Sequence, residues 1–124
     1  MAKNFEELEC WQLGIKLDKN VFDLVENSNI KRYFSLKDQM LSSCGSISDN
    51  VSEGFERGGN KEFIQFLFIA KGSCGELRTQ FHSCKGRGLI DEGIFNTFCN
   101  DCRTISVKIS NLITYLKKSD LKGN

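Results

Sequence analysis

Residues 95–118 have the sequence FNTFCNDCRTISVKISNLITYLKK, and the spacing of apolar side chains in this stretch decides the fold. The apolar residues follow one another in alternating steps of three and four through three heptads. This spacing predicts an α-helix with one continuous apolar seam, of the kind that packs in helical bundles. The seam consists of Phe95, Phe98, Cys102, Ile105, Ile109, Leu112 and Leu116.

Three further segments show helical spacing, and no segment alternates as a half-buried strand does. The strongest break is the run GFERGGN, in which Gly54 is predicted to end the second helix and Asn60 to cap the third. Ser35 is the predicted N-cap of the second helix, and Asp91 or Glu92 begins the fourth. The sequence therefore predicts an all-α, up-down-up-down antiparallel four-helix bundle, one domain over residues 1–124, with helices at roughly 5–27, 35–53, 61–85 and 91–118.

The charge and hydropathy of the chain narrow its function classes. There are 17 Lys and Arg against 16 Asp and Glu, a formal net charge of +1, which argues against binding to nucleic acid or anionic membranes by bulk attraction. The N-terminal segment carries acidic residues where a signal peptide carries basic ones, and no apolar run is long enough to cross a bilayer. We therefore expect a cytoplasmic protein.

The six cysteines are expected to be thiols in a reducing cytosol. Cys99 and Cys102 have a CxxC spacing, with His82 and Cys84 as the nearby candidates for completing a zinc site. Cys102 lies on the apolar seam of the fourth helix and Cys99 beside it, which favours the interpretation that both are buried structural residues. No cofactor and no metal are predicted.

Residues that would support catalysis are scarce. His82 is the single histidine, and no Ser/His/Asp or Cys/His signature and no Glu-x-x-His pair occurs. The glycine-rich run that begins at Gly54 lacks the arrangement of a phosphate-binding loop. The sequence therefore predicts no catalytic residues, no small-molecule substrate and a protein that is not an enzyme.

A basic stripe is the one feature that points to a ligand. Lys71, Arg78 and Lys85 are spaced by heptads on the third helix, and residues 57–88 hold six basic against two acidic residues. Such a stripe suits phosphate contacts if it faces solvent, and the alternative is an ordinary solvated helix face. The predicted nucleic-acid contacts are Arg57, Lys61, Lys71, Arg78, Lys85 and Arg87.

Apolar residues also exceed what one bundle core needs. The first helix has two apolar seams, one with Leu8, Trp11 and Ile15 and one with Cys10 and Leu13, and the first half of the third helix is apolar nearly all round. Surplus apolar helix surface usually packs against another subunit, which predicts homo-oligomerisation. The alternative is a helix that lies deep within its own bundle.

The segment Gln39–Gly54, QMLSSCGSISDNVSEG, resembles the second-helix signature of the 23S rRNA intervening-sequence (S23) proteins, a family of four-helix bundles. The family stretch contains Ser-Ile-x-x-Asn and ends in Glu-Gly, and residues 61–80 resemble its third helix, with Ala-x-Gly-Ser-x-x-Glu-Leu from Ala70 to Leu77. The resemblance extends to Phe5, Leu8, Trp11 and Gln12 and so covers essentially the whole chain.

This resemblance implies a ring-like homo-oligomer, a pentamer, and nucleic acid or a nucleoprotein as the partner, because a related protein is the accessory subunit of diversity-generating retroelements. Two departures matter: Leu41 and Ser42 replace the family's paired arginines, and Ser48 replaces its usual proline. The first weakens the nucleic-acid prediction, and the alternative is a scaffold bundle without affinity for nucleic acid. Matching polar residues predict a buried hydrogen-bond network of Asn50, Glu53, Ser73 and Glu76.

Overall fold

The computed structural model describes residues 2–121, and within them the chain forms an all-α bundle of four helices. The helices are α1 (Glu9–Glu26), α2 (Phe34–Glu56), α3 (Asn60–Gly86) and α4 (Glu92–Leu121). Consecutive helices pack side by side, with the most extensive contact between α2 and α3, and a narrower contact between α1 and α4 closes the bundle. The predicted fold class is therefore confirmed. No helix among these residues is long and apolar enough to span a membrane.

The N-terminal segment differs from the single helix predicted over 5–27. A 3-10 turn, Phe5–Glu7, precedes α1, and Leu8 between them is extended. The turn is held by side chains: the Phe5 ring packs 5.3 Å from the indole of Trp11, and Gln12 Nε2 donates to Glu6 O at 2.7 Å. A second 3-10 turn, Asn29–Arg32, links α1 to α2 and buries Ile30 completely.

The second helix is longer than predicted at both ends. It begins at Phe34, so the N-cap is Tyr33 and not Ser35, and it continues past Gly54 to Glu56. It also passes without a break through Ser48, where the related family usually has proline. Asn60 is likewise the first residue of α3 and not its N-cap, which is Gly59.

Gly54 serves helix packing and not chain reversal. A Cβ atom at this position would lie 2.6 Å from Phe66 Cβ and 3.0 Å from Phe63 Cδ1, so only glycine lets α2 and α3 approach so closely. The left-handed backbone that this link requires is adopted by Gly58 (φ +87°). The prediction that Gly54 terminates the second helix was wrong because a packing glycine and a terminating glycine look alike in sequence.

The start of the fourth helix agrees with the prediction. Asp91 Oδ1 accepts a hydrogen bond from Ile94 N at 2.8 Å, which is the geometry of an N-cap. Gly88 adopts a left-handed conformation (φ +73°) just after α3. Helix α4 extends past the predicted end at 118 and includes Leu121, the last residue that the structure describes.

We expect Gly54→Ala to lower the free energy of unfolding by about 1–3 kcal/mol, because the new methyl group has no space between α2 and α3. The matched control is Gly72→Ala on α3, where a Cβ meets nothing within 4 Å. There the better helix propensity of alanine raises stability by about 0.5–1 kcal/mol. Urea denaturation of both variants measures the difference, and equal effects of the two substitutions would contradict the close-approach role.

Candidate nucleic-acid interface

The polar residues between α2 and α3 form a small hydrogen-bond network around Ser46. Asn50 Nδ2 donates to Ser46 O at 2.7 Å and to Ser46 Oγ at 2.8 Å. From the facing helix, the buried Ser73 donates to Ser46 Oγ at 3.0 Å. Two of the four residues predicted for a polar network, Asn50 and Ser73, are thus brought together.

The other two predicted members of this network lie elsewhere. Glu53 is exposed and its Oε1 is 3.3 Å from Arg57 Nη2, while Glu76 is exposed on α3. A second polar contact between the same helices joins Gln80 Nε2 to Ser43 Oγ at 3.0 Å. Ser46 and Gln80 were not predicted as members of a polar network, because the pattern within one helix does not show which polar residues meet a partner on the next helix.

Two residues of the basic stripe, Arg78 and Lys85, lie on the flank of α3 toward α4, because both are close to Cys99 of that helix. Lys71 and Arg78 are half-buried, and no carboxylate among residues 2–121 lies within ion-pair distance of either. Lys85 is different: its Nζ lies 2.6 Å from Glu92 Oε2 and 4.4 Å from the centroid of the Phe95 ring. Lys71 and Arg78 therefore retain an uncompensated positive charge, whereas Lys85 has a structural partner.

The remaining predicted contacts lie at the helix ends. Arg57 is bound to carboxylates, 3.3 Å from Glu53 and 3.9 Å from Glu62, and its guanidinium lies over Phe66. Lys61 is exposed in the first turn of α3. Arg87 lies at the opposite end of that helix, with its guanidinium 5.8 Å from the centroid of the Tyr33 ring. The structure thus divides the six predicted residues between two ends and one flank.

Arg103 on α4 is a cation that the sequence analysis missed. Burial raises the pKa of the Cys99 thiol, and the charges of Arg103, Arg78 and Lys85 oppose that rise, so all three cations lie near Cys99. Their convergence depends on the antiparallel alignment of α3 and α4, in which Phe81 stacks on Phe98 at 5.0 Å. Sequence spacing within one helix carries no information on that alignment.

The charge of the chain is divided between the two halves of the bundle. Residues 2–56 hold six basic and ten acidic residues, whereas residues 57–121 hold ten basic and six acidic ones. The near-zero net charge therefore hides an acidic α1–α2 half and a basic α3–α4 half. A polyanion would be attracted to the second half, and salt would screen that attraction.

The cysteines are buried side chains of the core. Burial raises the pKa of the Cys44 and Cys74 thiols to about 12 and that of Cys10 to about 11. Cys99 and Cys102 are both fully buried, and Cys102 lies near Cys44 and Cys74. The candidate zinc ligand His82 is exposed and packs edge-on against Phe95. Within residues 2–121, no three His, Cys, Asp or Glu side chains are grouped as metal ligands would be.

Several large apolar side chains remain exposed. Ile15 and Phe22 lie one heptad apart on α1, while Phe68 and Ile69 are adjacent on α3. Helices α1 and α3 lie diagonally across the bundle, so these two patches are on different sides of the molecule. Val107 and Tyr115 on α4 are exposed as well. The surplus apolar surface inferred from the sequence is therefore present in the folded chain.

Comparisons with known proteins agree with this architecture. The model of a family described as 23S rRNA-intervening sequence protein matches residues 6–111. A crystal structure of a protein with unknown function from the S23 ribosomal protein family of Bacteroides thetaiotaomicron VPI-5482 is similar in fold, with a TM-score of 0.76 at 19% identity. The similarity covers 84% of this chain and 97% of that one. No curated protein matches the chain.

Because the cysteine thiols are buried, the free energy of unfolding is expected to fall at alkaline pH. The thiols of the unfolded chain ionise near pH 9, whereas folded Cys44 stays protonated to about 12. Above pH 9 the folded state therefore binds more protons than the unfolded state, and stability falls as pH rises. At pH 10, one such thiol lowers the free energy of unfolding by about 1.4 kcal/mol relative to neutral pH.

We therefore expect the stability deficit of Cys44→Ala relative to the unmodified protein to shrink by about 1.4 kcal/mol between pH 7 and pH 10. Urea denaturation at the two pH values measures this. The control is Ser42→Ala on the exposed side of the same helix, whose effect should not vary with pH. A Cys44→Ala deficit that is constant across this range would show that the thiol is not held protonated.

Proposed function

The chain belongs to the 23S rRNA-intervening sequence protein family, and from this premise we propose that it acts by binding, as a homo-oligomeric bundle that contacts nucleic acid or a nucleoprotein. The observation that carries the proposal is the positive charge of Lys71 and Arg78, which no carboxylate among residues 2–121 neutralises. Arg103 of α4 lies near Arg78, on the basic half of the bundle. Phosphate groups are the ligands that such a flank attracts.

The arrangement supports phosphate contact better than catalysis. The flank presents long cationic side chains and the amide of Asn100, which accepts from Arg103 Nη1 at 3.1 Å. Its one histidine is engaged with a phenylalanine ring, and its thiols are buried and protonated at neutral pH. Arg57 and Lys85 contribute less to binding than their charge suggests, because each already pairs with a carboxylate.

The exposed apolar patches support the homo-oligomeric part of the proposal. Contact between the α1 patch of one chain and the α3 patch of the next uses two different surfaces. A contact of this heterologous kind closes into a ring when the rotation between subunits permits, whereas a two-fold dimer uses one surface twice. We therefore favour a ring, and a pentamer agrees with the family resemblance.

We expect Lys71→Gln/Arg78→Gln to weaken binding to labelled RNA and DNA in fluorescence anisotropy. If both residues contact phosphates of a duplex, the slope of log affinity against log salt falls in magnitude by about 1.8. The matched control, Lys3→Gln/Lys16→Gln, removes the same charge from the N-terminal segment and α1. Equal loss in both variants would mean bulk attraction, and no binding by the unmodified protein at low salt would favour the scaffold alternative.

We expect the assembled protein to have a mass several times the 14.1 kDa of the chain in light scattering, and five times for a pentamer. Ile15→Lys/Phe22→Lys and Phe68→Lys/Ile69→Lys should each yield monomers, because buried lysines at a subunit contact are costly. Val107→Lys, on exposed α4 surface, is the control and should leave the assembly intact. Assembly that survives both double substitutions would disprove the α1–α3 contact.

A further inference from the structure

The end of the bundle where α1 connects to α2 has a composition unlike that of the surrounding half. Residues 27–37 contain Lys31, Arg32 and Lys37 and no acidic residue, whereas the rest of residues 2–56 holds three basic and ten acidic residues. Arg87, at the end of α3, reaches the same place because its guanidinium lies over Tyr33. We call Lys31, Arg32, Tyr33, Phe34, Lys37 and Arg87 the basic end patch.

Two neighbouring aromatic rings are exposed in this patch. Phe34 is 71% exposed and Tyr33 is 43% exposed. The fold does not require this, because the apolar positions of the segment that enter the core are Ile30 and Leu36, which are buried. A phenylalanine that is 71% exposed leaves most of its ring available to a ligand.

Each ring has a cation beside it. Lys37 Nζ lies 5.0 Å from the centroid of the Phe34 ring, and the Arg87 guanidinium carbon lies 5.8 Å from that of Tyr33. In the part of the chain that the structure describes, no carboxylate lies within 4.0 Å of the charged groups of Lys31, Arg32, Lys37 or Arg87. These four cations therefore lack the acidic partners that Arg57 and Lys85 have.

The start of α2 adds positive potential to the same place. Its N-cap, Tyr33, makes no side-chain capping hydrogen bond, and its first turn has no acidic residue. The positive end of the helix dipole is consequently not compensated by the protein. The positive potential at this helix end is small by itself, and it adds to the positive potential of the four surrounding cations.

We propose that the basic end patch binds single-stranded nucleic acid, with bases stacked on Phe34 and Tyr33 and phosphates held by Lys31, Arg32, Lys37 and Arg87. The proposal rests on the nucleic-acid binding proposed above and names the form of strand that this end accepts. Exposed aromatic rings beside cations are the means by which proteins hold single strands without sequence preference. The faces of bases within a duplex are already stacked on one another, so a duplex offers these rings nothing to stack on.

An anionic membrane surface is the competing partner for cations with aromatic rings, and it fits less well. Membrane-binding surfaces insert a continuous apolar face beneath their cations. Here the aliphatic neighbours Ile30 and Leu36 point into the core, and only the two rings are available.

The test measures affinity of the full chain for a labelled oligouridine, for a labelled RNA duplex, and for vesicles of phosphatidylcholine with phosphatidylserine. Tyr33→Leu/Phe34→Leu keeps apolar side chains but removes the ring faces. We expect this variant to lose about tenfold or more in oligouridine affinity, with duplex affinity changed less than about twofold. Phe34→Trp should retain or strengthen oligouridine binding.

The matched control is Tyr115→Leu, which changes an exposed aromatic residue of α4 outside the patch and outside the proposed subunit contact, and it should leave oligouridine affinity unchanged. Suppose that the unmodified protein binds the duplex and that the double variant binds oligouridine as tightly as the unmodified protein does. The proposal for the end patch is then overturned, while the proposed function stands. Absence of binding to either nucleic acid overturns both. Binding to anionic vesicles that depends on the patch, without binding to oligouridine, assigns the patch to a membrane surface and overturns the proposal.

Discussion

Helices α2 and α3 approach each other so closely at Gly54 that a methyl group there would overlap Phe66. Further along the same contact, Ser46 and Ser73 bond to each other across the helices. Short side chains let the two helices approach closely. Hydrogen bonds between polar groups in the half-buried contact fix the axial register of one helix against the other. The other helices pack against this pair. The contact between α2 and α3 therefore determines which way the basic residues of α3 face.

The division of charge follows from that arrangement. Arg78 lies on the side of α3 toward α4, where Arg103 is also close to Cys99, and Lys71 lies one heptad from Arg78 on the same helix. The only acidic residues of α3 are Glu62 and Glu76, and neither lies within ion-pair distance of Lys71 or Arg78. A chain with a net charge of +1 thereby presents a basic half, and net charge alone is a poor guide to its partners.

The packing of the helices also determines which basic side chains already pair with a carboxylate and which remain available to a ligand. Lys85 and Arg57 both belong to the set chosen from the sequence, yet each pairs with a carboxylate and lies over an aromatic ring. Lys37 and Arg87 also lie over rings, but those rings, Phe34 and Tyr33, are exposed and the cations have no acidic partner among residues 2–121. Carboxylate partners come from neighbouring turns and helices, so spacing along one helix cannot distinguish the two kinds.

The sequence by itself determined the four helices, their antiparallel order and the burial of Cys102, because helical periodicity of apolar residues is a local property of the chain. It also identified Asn50, Ser73 and the stripe on α3 as candidate site residues. Only the tertiary structure decided that Gly54 is a packing position, that Ser46 links Asn50 to Ser73, and that Arg103 lies beside Arg78. These three facts depend on how far each helix is shifted along its neighbour, and that shift is fixed by side-chain packing between residues distant in sequence.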